Sequence, residues 1–177
     1  MKLQKTGMKT IYIVRHAKAR RRGDNSEDFS RALTEEGKQD AHRLGLFLRS
    51  KNVLPDLIVS STAKRAIRTA QILADEIKYP RSEIDFNDSL YEIEVDDLLK
   101  ILYNLNDSYQ SVMFVGHNPP MSIMADYLTR YGVGNLSPGS IFGCEFKTDT
   151  WKTVSKYSGL CKFLETPQTV RQKLLKN

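Results

Sequence analysis

Residues 10–19 read TIYIVRHAKA, and they indicate the fold class more directly than any other part of the chain. The first half, Thr10–Val14, is an uncharged run rich in β-branched residues, which predicts a strand buried on both faces of a sheet. The run stops at Arg15 and His16, so the buried strand is expected to end at a cation and an imidazole. Strands of this kind belong mostly to parallel sheets covered by helices on both faces.

Two further apolar runs repeat this pattern along the chain. Residues 56–60 read DLIVS and residues 111–115 read SVMFV, and a helical pattern follows each of them. Helices are predicted where apolar residues recur at helical spacing behind capping residues: from Thr34 to about Ser50, from Ser61 and Thr62 to Ile77, after Glu94, from Pro119 to about Arg130, and after Thr166. The alternation of strands and helices predicts a three-layer α/β/α fold with a mostly parallel sheet.

Both ends of the chain depart from this alternation. Residues 141–146 and 151–157 predict two C-terminal strands that add to the edge of the sheet. Residues 1–9 show no periodic pattern and predict a frayed N-terminal segment. The length of 177 residues fits one hydrophobic core, so residues 1–177 are predicted to form a single domain.

Composition excludes several classes of protein. The longest apolar runs are too short for a membrane span or a signal peptide. The two cysteines make neither a disulfide framework nor a CxxC pair, and the three histidines lack HxH or HExxH spacing. We therefore expect a cytoplasmic protein that contacts no membrane and holds no metal or other cofactor.

The net charge of +6 is concentrated at the N-terminal end. Eight of the 27 Lys and Arg residues lie in residues 1–22, which hold no acid, so the remaining chain has 19 cations against 21 acids and a net charge of −2. Such a charge could serve a nucleic-acid arm, an acidic-lipid patch, a phosphate site or solubility. Aromatic residues are not interleaved with these cations, which argues against nucleic acid. The run Lys18–Arg22 is either a solvated loop or the rim of a cleft that attracts an anionic protein or a small phosphate.

Histidines and cations follow the three predicted core strands. The first strand is followed by Arg15 and His16, the second by a segment containing Arg65, and the third by Gly116 and His117. The carboxyl ends of parallel strands meet at one edge of a sheet, where ligands bind. Arginine forks and a helix N terminus suit a phosphoryl group, and a neutral imidazole is a nucleophile at phosphorus near pH 7. In-line attack by His16 would give a phosphohistidine that water then hydrolyses.

Four segments carry a resemblance to a known family. Ile13–Ala19 resembles the Arg-His-Gly or Arg-His-Ala signature of the histidine phosphatase superfamily, which has the phosphoglycerate mutase-like fold. Asp28–Gly37, Ser60–Ala70 and Gly116–Pro119 resemble three later motifs in the family order. The resemblance therefore extends from residue 11 to about residue 120.

This resemblance implies a role for each matching residue. His16 would be the nucleophile, Arg15 and Arg65 phosphate ligands, and His117 a second phosphate-binding or proton-handling histidine. The small size and the motif forms look most like the SixA-type phosphohistidine phosphatases. The implied partner is thus a phosphorylated histidine phosphotransfer domain, or alternatively a small phosphorylated molecule.

The general acid distinguishes the possible substrates. Larger relatives supply a carboxylate before the third core strand, and Glu92 stands near that place. An alkoxide leaving group needs a proton from such an acid, whereas an imidazole leaving group does not. Two alternatives to a phosphohistidine phosphatase stay open: a broad small-molecule phosphomonoesterase with Glu92 as acid, and a non-catalytic module that binds phosphate or phosphoprotein.

Overall fold

A six-stranded sheet lies at the centre of the computed structural model, which describes residues 7–21, 23 and 27–176. The strand order is β3-β2-β4-β1-β5-β6. The strands are β1 (Met8–Arg15), β2 (Leu57–Ser61), β3 (Asp85–Asn87), β4 (Ser111–Gly116), β5 (Ile141–Lys147) and β6 (Leu160–Glu165). The four strands β1 to β4 run parallel, and β5 and β6 add antiparallel at one edge. The predicted mostly parallel sheet with C-terminal edge strands is therefore confirmed.

Helices cover both faces of this sheet. They are α1 (Glu35–Ser50), α2 (Lys64–Ile77), α3 (Val95–Tyr103), α4 (Pro120–Leu128) and α5 (Pro167–Leu174). Apolar residues of α3 and α4 pack with one face of the sheet, and those of α1, α2 and α5 pack with the other. This arrangement confirms the predicted three-layer α/β/α fold. No helix in the described part of the chain combines the length and the apolar character needed to cross a membrane.

The order of the central strands brings three loops together. Strand β4 lies between β1 and β2, and its last residue, Gly116, is in register with Arg15 at the end of β1. Because these strands are parallel, the segments that follow them leave the sheet at the same edge. The predicted site residues His16, Arg65 and His117 follow β1, β2 and β4, respectively.

The N-terminal segment needs a correction. Met8 and Lys9 belong to β1, so the predicted fraying of residues 1–9 is wrong for these two positions, and residues 1–6 lie outside the described residues. Lys9 is fully buried because its ammonium group donates hydrogen bonds to Asp107 O (2.6 Å), Tyr109 O (2.7 Å) and Gln110 Oε1 (3.4 Å). A lysine whose donors are all matched can be buried, although its residue type predicts exposure.

The C-terminal hairpin also differs from its prediction. The predicted strand at residues 151–157 is wrong: Trp151–Thr153 form a 3₁₀ turn that begins where Thr150 Oγ1 accepts a hydrogen bond from Lys152 N. The second strand is β6, which pairs with β5. Side-chain capping turns the chain here, although the aromatic residues of this segment favour a strand.

The N terminus of α1 fixes the loop that follows His16. Thr34 caps the helix by accepting a hydrogen bond from Gly37 N at 3.0 Å, as predicted. A Cβ atom at Gly37 would lie 2.1 Å from the Lys18 carbonyl oxygen, so only glycine allows this close approach. The loop therefore lies tightly against the helix that begins after it.

Candidate active site

His16 lies directly beyond the end of β1 and is only 7% exposed. Its Nδ1 lies 2.8 Å from Ala17 O, and since a carbonyl only accepts, Nδ1 carries the proton. Nε2 is therefore bare in the neutral ring and accepts a hydrogen bond from Arg65 Nε at 3.2 Å. The backbone thus selects the tautomer that leaves Nε2 unprotonated.

Arg65 joins the elements of the site. It lies in the first turn of α2 and is 4% exposed. Besides its bond to His16, it donates from Nη1 to Asp28 O (2.7 Å) and from Nη2 to Asp28 Oδ2 (2.9 Å). Nη2 also lies 3.3 Å from His117 Nδ1. One guanidinium group therefore spans both histidines and is held by one aspartate.

His117 follows β4, and its ring centroid lies 5.1 Å from that of His16. Its Nε2 is 2.8 Å from Ser61 Oγ. Because the Arg65 guanidinium can only donate, Nδ1 accepts from it and Nε2 carries the proton toward Ser61. Both imidazoles consequently turn an unprotonated nitrogen toward Arg65.

Burial and neighbouring cations keep both histidines neutral. Burial lowers the pKa of His16 to about 4, with further lowering by the charges of Arg65 and Arg15 and a partial offset from the bond to Ala17. Burial also lowers the pKa of His117 to about 3, and His16 and Arg65 contribute. The site therefore holds neutral imidazoles at pH 7, which is the state required for nucleophilic attack.

Arg15 has an unused donor at the end of β1. Its Nη1 donates to Leu136 O at 2.7 Å, whereas its buried Nε has no hydrogen-bond partner among the described residues. Gly139 N donates to Arg15 O (3.2 Å) and His16 O (3.0 Å), which holds this end of β1 in place. Unmatched buried donors on a cation are costly, and a phosphoryl oxygen would satisfy this one.

Asp28 and Tyr91 complete the site, although the sequence analysis predicted no role for either of them. Asp28 accepts hydrogen bonds from Tyr91 Oη (2.9 Å), from Arg65, and from Arg31 Nε (2.8 Å). Desolvation opposes ionisation of Asp28, but these bonds and the arginine charges outweigh it and lower its pKa to about 2. Asp28 and Arg31 belong to the segment 28–37 that resembles a family motif, which is the signal that could have identified them.

Glu92 lies on the wall of an adjoining cleft. The cleft has a volume of about 180 Å³ and is lined by residues before α3 and at the start of α4, with His117 among them. Glu92 is exposed and makes no hydrogen bond or ion pair within the described part of the chain. The structure thus brings His16, His117, Arg15 and Arg65 together and places Glu92 beside them, on the His117 side.

Comparison with known sequences identifies relatives of this chain. The model of the histidine phosphatase superfamily (branch 1) matches residues 11–104. A stretch of 43 residues is 51% identical to the 2,3-bisphosphoglycerate-dependent phosphoglycerate mutase of Bifidobacterium longum, and it covers 24% of this chain and 18% of that protein. An uncharacterized protein of Mycobacterium leprae is 29% identical over 125 residues, which cover 69% of this chain and 74% of that protein.

Solved structures with a similar fold span almost the whole chain. The proposed phosphohistidine phosphatase SixA of Agrobacterium tumefaciens has a TM-score of 0.73 and 26% identity, with 90% of this chain and 98% of that chain covered. The proposed SixA of Nakamurella multipartitia has a TM-score of 0.80 at 22% identity, covering 93% and 99%. A protein histidine phosphatase SixA in complex with tungstate has a TM-score of 0.78 at 19% identity, covering 91% and 99%.

Proposed function

We propose that this chain, which belongs to the histidine phosphatase superfamily, is a phosphatase acting on phosphohistidine in a partner protein. The reaction passes through a phosphoryl intermediate on His16. The observation that carries this proposal is the unprotonated Nε2 of a neutral, buried His16, which contacts Arg65 and feels the charge of Arg15. An imidazole in this setting attacks phosphorus while the arginines bind the phosphoryl oxygens.

The first step transfers the phosphoryl group to His16. The Nε2 lone pair forms a bond to phosphorus while the P–N bond of the substrate breaks, and its electron pair stays on the leaving imidazole nitrogen. Arg65 Nε, which donates to His16 Nε2 in the resting site, then donates to a phosphoryl oxygen instead. The Nε donor of Arg15 binds a second oxygen.

The second step returns His16 to its starting state. Water attacks phosphorus, the P–Nε2 bond breaks, and its electron pair returns to Nε2. Ala17 O holds the proton on Nδ1 throughout, so the ring leaves as a neutral imidazole. The unprotonated Nδ1 of His117 accepts the proton of the attacking water and releases it to solvent as inorganic phosphate departs, which restores the neutral ring.

The leaving group favours phosphohistidine as the substrate. A phosphohistidine protonated on its other ring nitrogen leaves as neutral imidazole, so no acid has to protonate the leaving atom. Glu92 is exposed and bonded to no described residue, which fits a reaction without a dedicated acid. The Agrobacterium tumefaciens relative, itself proposed to be a phosphohistidine phosphatase, also supports this substrate class.

A phosphomonoesterase is the second candidate. The observation that favours it is the position of Glu92 in the same cleft as His117, where a carboxyl group could protonate an alkoxide. In that case Glu92 would supply about 10²- to 10⁴-fold of the rate for ester substrates.

Substrate comparison separates the two candidates. We would measure kcat/KM for a phosphorylated histidine phosphotransfer domain, a phosphoserine peptide and a small aryl phosphate, with wild type, Glu92→Gln and the control Glu94→Gln, an exposed carboxylate in the same cleft. We expect the phosphohistidine domain to react fastest and both variants to retain its turnover. A preference for the esters that Glu92→Gln removes and Glu94→Gln keeps would contradict the proposed substrate.

A further inference from the structure

We infer that the exposed cations that follow His16 form a docking surface for a partner protein with an acidic surface around its phosphohistidine. We call this surface, formed by Lys18, Arg20 and Arg21, the basic rim. The inference rests on the proposed function and adds the chemistry of the partner to it.

Backbone hydrogen bonds hold the basic rim in a fixed position. Ala19 pairs with Leu33 as an antiparallel bridge, and Arg20 N donates to Ala32 O at 2.9 Å. Thr34 N donates to Lys18 O, also at 2.9 Å. The backbone of the rim is therefore held against the segment that leads into α1.

A short chain of contacts connects the rim to the reaction centre. Arg31 Nη1 donates to Arg20 O at 2.9 Å, and Arg31 Nε donates to Asp28 Oδ1 at 2.8 Å. Asp28 in turn holds Arg65, which contacts His16. In this network only Arg31 and Asp28 stand between Arg20 of the rim and the guanidinium group of Arg65.

Most of the rim charge is not neutralised by the residues that the structure describes. Lys18 is paired with Glu36, but Arg20 and Arg21 are exposed and form no ion pair within the described ranges. Arg20 contributes to lowering the pKa of Glu35, whose main partner is Lys38, bonded to it at 2.6 Å. Two arginine charges therefore face solvent beside a site that attracts anions.

These charges exceed the requirement of a small substrate. Arg15 and Arg65 already offer donors for a single phosphoryl group inside the site. Cations outside it can be matched only by charges carried elsewhere on a larger substrate. The cleft beside His117 instead carries the exposed carboxylates Glu92 and Glu94, so a complementary partner is acidic where it meets the rim.

The expected consequence is a faster encounter with the partner and unchanged chemistry. Exposed charges around an interface raise the association rate and lose this effect as salt rises. The basic rim should therefore affect kcat/KM for a protein substrate and leave the hydrolysis of a small P–N compound unchanged.

Matched charge reversals test the inference. The rim variant is Arg20→Glu/Arg21→Glu. The control is Lys152→Glu/Lys156→Glu, which makes the same change in charge at exposed positions that follow the end of β5 distant from the site. The substrates are an acidic histidine phosphotransfer domain in its phosphorylated form and phosphoramidate. At low salt, we expect the rim variant to lose about tenfold or more in kcat/KM for the domain, and the control to stay within about twofold. The difference should shrink at about 0.3 M salt.

Three other results would overturn the inference about the basic rim, and they differ in what they leave of the proposed function. Equal domain turnover by the rim variant and the control, with phosphoramidate hydrolysis intact, would overturn the basic rim and leave the proposed function standing. Competition by duplex DNA that the rim variant abolishes would assign the surface to nucleic acid and also overturn it. If wild type hydrolyses neither phosphoramidate nor the phosphorylated domain, the proposed function fails and the rim inference fails with it.

Discussion

Strand β1 carries a cation near each end, and the two are satisfied in different ways. At the amino end, the three protons of the Lys9 ammonium group find three oxygen acceptors, and its Nζ also lies 5.2 Å from the centroid of the Trp151 ring. At the carboxyl end, Arg15 has one buried donor with no described partner, and Arg65 donates to a histidine nitrogen. A cation matched by the protein stabilises the fold, whereas one left incompletely matched is available to a ligand.

The hydrogen-bond partners of a buried cation, and not its burial, indicate whether it belongs to the site. Burial alone does not distinguish Lys9 from Arg65, since they are 0% and 4% exposed. Their hydrogen-bond partners do distinguish them: every acceptor of Lys9 is a carbonyl oxygen, whereas Arg65, besides its bonds to Asp28, faces two neutral imidazoles. Substitutions at the two ends of β1 should therefore separate stability from activity.

Replacing His16 should have the largest effect. We expect His16→Asn to reduce kcat by on the order of 10⁴-fold or more, because it removes the Nε2 atom proposed to attack phosphorus while preserving a polar group. Steady-state hydrolysis of phosphoramidate measures the loss, and the thermal unfolding midpoint serves as the control for folding. Activity within about tenfold of wild type would assign the nucleophile elsewhere.

Replacing Lys9 should affect the fold alone. Lys9→Met leaves the carbonyls of Asp107 and Tyr109 without their donor, and we expect a loss of about 3 kcal/mol in the free energy of unfolding. Urea denaturation measures this loss, with the exposed Lys152→Met as the control. We expect kcat/KM to stay within about twofold of wild type below the transition. A selective loss of activity would undo the contrast between the two ends of β1.

Replacing Arg65 should lower activity strongly. A lysine can supply the charge but cannot reach Asp28, His16 and His117 together from one planar group, so Arg65→Lys should lower kcat/KM by about 100-fold. Arg68→Lys, on the next turn of α2, is the matched control and should retain full activity. Equal activities of the two variants would show that charge alone suffices at Arg65.

The neutral histidines should make stability depend on pH. The pKa values of His16 and His117 are lowered to about 4 and 3 in the folded state, against an unfolded value near 6.5. As the pH is lowered, the unfolded chain therefore takes up protons before the folded one does. The free energy of unfolding is highest above about pH 6.5 and falls as the pH drops toward 4. The double variant His16→Gln/His117→Gln should flatten this fall. Chemical denaturation of wild type and the double variant at several pH values measures the fall, and an equally steep fall in both would contradict the prediction.

Central strands were easier to predict than edge elements. Strands β1, β2 and β4 are buried on both faces, so each is a continuous apolar run that the sequence displays directly. The edge strand β6 alternates in burial and mixes charged with apolar residues, and the three-residue β3 is too short to show a period. The burial of Lys9 depends on carbonyls about 100 residues away, which no local pattern encodes.

The site divides in the same way. The convergence of His16, Arg65 and His117 follows from one rule, because residues after parallel strands meet at one edge of the sheet. The bond between Tyr91 and Asp28 joins two irregular segments 63 residues apart, and its existence depends on loop conformations. The tautomers of the histidines likewise depend on backbone and side-chain acceptors that only the fold brings near.

The central claim is that His16 Nε2 carries the phosphoryl group. Its most direct test is rapid quenching in alkali after the protein is mixed with ³²P-labelled phosphoramidate, followed by mapping of the label by mass spectrometry. We predict an acid-labile, alkali-stable phosphoryl group on His16 that appears before free phosphate and is absent from His16→Asn. Turnover without any labelled protein, or a label on His117, would contradict the claim.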